Sequence, residues 1–156
     1  MNTRSWIVAA VVSFSFASAP AVKAQASTVT AVPVAGTVFG LPESVYFSGT
    51  ARIVVRPAAD TEPGALPRLI VSLDLGDVSG RGLSTGATYV VNGQASLTRR
   101  FARVDTVQLT FPFFVQGSEP TARARTAVAT FTLSYDVATG ALAAAKAFLA
   151  APASAQ

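Results

Sequence analysis

The side chains able to do chemistry are few, and their types narrow what that chemistry can be. The chain has no Cys and no His. Their absence removes Cys/His zinc sites, His- or Cys-ligated haem, iron–sulfur clusters, Cys nucleophiles and every Ser-His-Asp arrangement. No side chain titrates near neutrality at its ordinary pKa. Eight carboxylates remain: Glu43, Asp60, Glu62, Asp74, Asp77, Asp105, Glu119 and Asp136. A glycoside hydrolase needs two of them facing one cleft, and Asp74 and Asp77 stand close enough in sequence to share one. The plainer reading places Asp74 on the solvent face of a strand and Asp77 in a turn. The same pair lacks the regular acid spacing of an EF-hand calcium loop. Gly80-Arg81-Gly82 could cradle an anion on its amides, but the Lys-Ser/Thr ending of a nucleotide loop is missing. Lys146 has no Ser three residues before it, so a Ser-x-x-Lys arrangement is excluded. No cofactor and no metal are expected.

The densest basic cluster is Arg99, Arg100 and Arg103, with Arg123 and Arg125 as a second. If neighbouring strands bring them together, five guanidinium groups would face an anionic partner. In an exported chain that partner would be an acidic envelope glycan, a lipid headgroup or another envelope protein. Nucleic acid is not expected, because Phe101 alone interleaves the cluster and a stacking platform needs more. The plainer alternative is a solvated sheet face whose charges deter edge pairing.

Export is read from the first 24 residues. Arg4 gives a positive start, residues 6–16 form an uncharged and mostly apolar run, and Val22-Lys23-Ala24 offers a small-x-small cleavage site before Gln25. That is the layout of a secretory signal peptide, and the run is too short to span a bilayer. Cleavage leaves 132 residues and removes Arg4 and Lys23, so the formal net charge falls from +4 to +2. The expected location is the periplasm or the cell surface of a bacterium. Export permits disulfides, yet none can form.

The rest of the chain reads as strands joined by turns. Over residues 45–56, Val45, Phe47, Gly49, Ala51, Ile53 and Val55 alternate with Tyr46, Ser48, Thr50, Arg52, Val54 and Arg56, a period of two that marks a half-buried strand. Leu69, Val71, Leu73 and Leu75 share one face of residues 68–75. Val107, Leu109, Phe111 and Phe113 do so in residues 106–115, where Pro112 places the strand at an edge or a bulge. Ala127, Ala129, Phe131, Leu133 and Tyr135 do so in residues 125–135. Residues 57–67 and the glycine-rich 76–86 are expected as loops, and Asn92-Gly93 as a hairpin turn between two short runs. Residues 136–140 form a turn. Residues 141–150, though alanine-rich, are read as a final strand pairing with residues 126–135.

The expected fold class is all-β: a two-layer antiparallel β-sandwich, immunoglobulin-like in general architecture, of about six to eight strands, with a small rolled β-barrel as the alternative. The expected organisation is a signal peptide (1–24), an arm or edge strand (25–40), one β-domain (41–150) and a disordered tail (151–156). The expected function is an exported, non-enzymatic β-domain with a binding or structural role at the cell envelope. The alternatives are a carboxylate- or metal-dependent hydrolase of an envelope glycan, and a small outer-membrane β-barrel.

Overall fold

The structure is a computed structural model, and it describes residues 27–59, 67–118 and 124–152. The expected signal peptide and cleavage site, and the last four residues of the expected tail, lie outside the described residues. The described chain is all-β: β1 (Thr28–Val38), β2 (Val45–Pro57), β3 (Arg68–Gly82), β4 (Thr88–Val91), β5 (Gln94–Arg100), β6 (Val104–Val115), β7 (Arg125–Tyr135) and β8 (Leu142–Ala150). Every pairing is antiparallel, and one hydrogen-bonded sheet runs β1-β2-β3-β4-β6-β7-β8, with β5 beside β3.

Of the two ways to cover the apolar faces, the chain takes the rolled one. Phe47 on β2 meets Phe111 and Phe113 on β6 edge-on, with ring centroids 6.1 and 5.0 Å apart. β2 and β6 are not neighbours in the sheet, so these rings touch across its curled interior. Gly36 on β1 lies against Leu149 on β8: a Cβ at Gly36 would sit 3.1 Å from the Leu149 Cβ. No ladder joins β1 to β8 among the described residues, so the barrel is nearly closed. The inward set is the apolar set that period-two alternation picks out: Val45, Phe47, Ala51, Ile53, Val55, Leu69, Val71, Leu73, Phe111, Phe131 and Leu133 are all buried. β8 pairs with β7 as expected, Ala147 facing Phe131 and Leu149 facing Ala129. Strand pairing and an apolar face override its alanine helix propensity.

The glycine-rich segment is a correction. It is not a loop from residue 76; β3 continues through Gly82 with a register shift opposite Thr50 and Arg52. The glycines there make room for neighbours. A Cβ at Gly80 would lie 2.7 Å from both the Phe47 ring and Val45. The turn itself is residues 83–87, closed by Gly82 N–H donating to the Ala87 carbonyl at 2.8 Å, with Gly86 at a φ of 72°.

Asn92-Gly93 is a second correction. β4 and β5 do not pair with each other; β4 pairs with residues 79–81 of β3 and β5 with residues 68–74. The two strands follow one line along β3, interrupted at Asn92-Gly93, and neither residue has a positive φ. Gly93 is needed for close approach instead: a Cβ there would lie 2.9 Å from Leu75 Cδ1 and from Phe111 Cβ. Pro112 sits, as its missing donor requires, where β6 is paired by β7 but not by β4.

Candidate functional site

The predicted arginines are divided between the two ends of the barrel. Arg125 begins β7, while Arg103 follows β5 and accepts, on its carbonyl, the N–H of Tyr135 at the end of β7. Ten residues of strand separate these points, about 33 Å at the usual rise. Arg123 lies outside the described residues. The expected five-membered patch is therefore not assembled from Arg99, Arg100, Arg103 and Arg125.

Two of these arginines are committed elsewhere. Arg99 leaves β5 toward β6 and grips Asp105 in a fork, Nε to Oδ2 at 2.9 Å and Nη2 to Oδ1 at 2.7 Å. The Arg99 bond holds the Asp105 carboxyl below its usual range, and Asp105 in turn raises the guanidinium. Tyr135 lies beside this pair, 5% exposed, with a hydroxyl that has no hydrogen-bond partner among the described residues. Burial first, then the Asp105 charge, pushes its phenol up to about 12. At the other end Arg125 donates from Nη1 to the Glu43 carbonyl at 2.7 Å and stacks 5.0 Å from the Phe113 ring centroid.

Glu43 is the residue that sequence reasoning passed over. It is 8% exposed and is the one buried charged side chain among the described residues. Its Oε2 accepts from the backbone N–H of Ser84 and of Thr85, both at 3.0 Å. Its Oε1 accepts from Thr85 Oγ1 at 2.7 Å and from the Tyr89 hydroxyl at 2.9 Å. The carboxylate thus ties the β1–β2 connection to the β3–β4 turn. Gly82 leaves the space for it, since a Cβ there would lie within 2.3 Å of Oε1. The Thr85 bonds dominate in lowering the Glu43 carboxyl to about 2. Tyr89 is raised by burial and by Glu43. No spacing in the sequence signals this site, because the partners stand 41–46 residues away.

The two acids considered for hydrolysis are also placed. Asp74 accepts from Gly76 N–H at 2.8 Å at the irregularity within β3. Asp77 lies 3.9 Å from Arg52, both side chains well exposed. The register shift between them leaves both on the outer face on either side of Arg52, with Asp74 lining a groove there and Asp77 outside its lining.

Two open grooves lie on the outer faces of the strands: one of about 520 Å³ beside Tyr46, Ser48, Ser79, Arg81 and Thr88, and one on the exposed face of β2, β3 and β5. The second, of about 460 Å³, is lined by Arg52 and Val54 of β2, Ser72 and Asp74 of β3, and Gln94 and Ser96 of β5. Ser72 and Ser96 share a hydrogen bond at 3.1 Å. Farther along the same face lie three exposed arginines that the sequence clusters did not include together: Arg56, Arg68 and Arg100. The register sets Arg68 directly opposite Arg100, and Arg56 opposite Ile70, one diagonal step from Arg68. Their buried strand neighbours Val55 and Leu69 fix the outward direction. Among the described residues none of the three has a carboxylate within ion-pair distance; Asp60 and Glu62, in the β2–β3 connection, lie outside the described residues.

Comparison with protein-family models, with curated proteins and with solved structures gives no match for this chain.

Proposed function

We propose that the chain is an exported, non-enzymatic β-domain with a binding or structural role at the cell envelope of a bacterium. One observation carries the non-enzymatic part. Each described acid or base whose pKa is displaced moves away from neutrality: Glu43, Asp105 and Asp136 go down, and Tyr89, Tyr135 and Arg99 go up. General acid–base catalysis needs the opposite, a carboxyl raised or an amine or phenol lowered toward the working pH. Each of these shifts also has a structural cause already named, or, for Asp136, the turn it holds by accepting from Ala138 N–H and Thr139 N–H. The charges stabilise turns and strand crossings.

The outward faces support the same reading over a membrane barrel. Ser48, Thr50, Arg52 and Arg56 of β2 and Thr106, Gln108 and Thr110 of β6 point outward and are exposed. A lipid-facing band needs apolar residues at such positions.

Cell fractionation and a glycan assay test the proposal. Osmotic shock without detergent is expected to release a protein beginning near Gln25, read by intact mass. Incubation with envelope glycan is expected to produce no new reducing ends. A requirement for detergent, or hydrolysis abolished by Asp74→Asn or Asp77→Asn, would overturn it.

A further inference from the structure

We infer that the outer face of β2, β3 and β5 binds an acidic polysaccharide, with Arg56, Arg68 and Arg100 meeting its anionic groups and the adjoining groove taking its sugar hydroxyls. The inference rests on the proposed binding role. Its first support is the register. Arg68 and Arg100 are directly opposed on adjacent strands, about 5 Å apart at Cβ, where like charges destabilise a sheet. Arg56 adds a third charge on the diagonal, at about 7–8 Å by the same geometry. Of the other described arginines, Arg52, Arg99 and Arg125 each have a partner in Asp77, Asp105 or the Glu43 carbonyl, and no described arginine stands directly opposite another except Arg68 and Arg100. An anion lying across the three guanidinium groups would relieve the repulsion and use their forked donors.

The second support is what adjoins them. Two residues from Arg68's neighbour Ile70, the same face opens into the groove of about 460 Å³ between Arg52, Asp74 and Gln94. Its side chains offer guanidinium, carboxylate, amide and hydroxyl groups over the half-buried Val54. Such mixed donors and acceptors suit a hydroxyl-rich chain, and the volume falls in the ordinary range for ligand sites. A lipid surface fits less well. Basic residues that dock on membranes sit beside large exposed apolar ones; here the exposed Val29 stands opposite Val54 beside the groove, whereas the larger Phe39, Leu41 and Leu83 flank the Glu43 turn at the other end of the barrel.

The test uses the full mature protein and three probes: polygalacturonate as the acidic polysaccharide, dextran as a neutral one, and vesicles of phosphatidylglycerol with phosphatidylcholine. Polygalacturonate is expected to bind, more weakly as salt rises, and dextran at least about tenfold more weakly, a difference of ~1.4 kcal/mol. Replacing Arg56, Arg68 and Arg100 together by Ser is expected to reduce polygalacturonate binding about tenfold or more, with an unchanged circular dichroism spectrum. Gln94→Ala is expected to weaken it severalfold while leaving the salt dependence unchanged, which a purely ionic surface would not show. Equal binding of polygalacturonate and dextran, no effect of the triple replacement, or stronger binding to the vesicles would each overturn the inference. None of these outcomes touches the fractionation and hydrolysis results, so failure here is distinguishable from failure of the proposed function.

Discussion

At one end of the barrel a single carboxylate, Glu43, accepts four hydrogen bonds from the β3–β4 turn and β4, with Arg125 fastened to its own backbone carbonyl. At the other, Arg56, Arg68 and Arg100 stand exposed on adjacent strands with no described acid beside them. The first end uses its charge to hold two loops together; the second leaves charge facing solvent. A buried ion needs its hydrogen-bonding capacity filled, and Glu43 meets that condition. An exposed cation is solvated where it stands, so nothing inside the fold has to match it. The Arg99–Asp105 fork is intermediate, with its acid 13% and its base 43% exposed.

The sharpest way to break this comparison is at Gly82. Alanine there would drive a methyl into the Glu43 carboxylate, which is the far end of a flexible side chain but is pinned by four donors. The displaced donors and the crowding together are expected to cost about 3 kcal/mol, read by urea denaturation. An unchanged midpoint would mean that the carboxylate moves freely and holds nothing.

Acid should weaken the Glu43 end next. A carboxyl lowered from 4.5 to about 2 on folding contributes stability that is present in full above the unfolded value and is lost as pH falls toward the folded one. Asp105 and Asp136 are lowered in the same direction. Unfolding midpoints should therefore fall between pH 4.5 and about 2. Glu43→Gln should be the less stable protein at pH 7 yet show a shallower fall. Parallel curves for the two proteins would remove Glu43 from the acid response.

At the far end effects should shrink. Arg99→Ala is expected to cost about 0.5–1 kcal/mol, as for a forked pair with one exposed partner, and the loss should be smaller in high salt. Arg100→Ser should be the smallest: within about 0.5 kcal/mol of wild type and, at low salt, slightly more stable, because it removes the like charge opposite Arg68. A clear loss of stability there would show that the basic face is a structural element.

The alternation in residues 45–56, 68–75, 106–115 and 125–135 was enough to identify the strands and their buried faces, and Asp136 to Gly140 to identify the last turn. Those are local properties: side chains on an extended backbone alternate in direction whatever lies beyond. The readings that changed all depended on a distant contact. Gly80 is a strand residue because the Phe47 ring packs where its side chain would be. Asn92-Gly93 lies along β3 because Leu75 and Phe111 crowd Gly93. Glu43 is one acid among eight until the turn at Ser84 and Thr85 folds over it. The arginines that are near in sequence part to opposite ends of β7, while Arg56, Arg68 and Arg100 meet through strand register alone. Type and periodicity determine which face of a strand a residue occupies; only the rolling of the sheet decides which side chains that face meets, because pairing joins residues far apart along the chain.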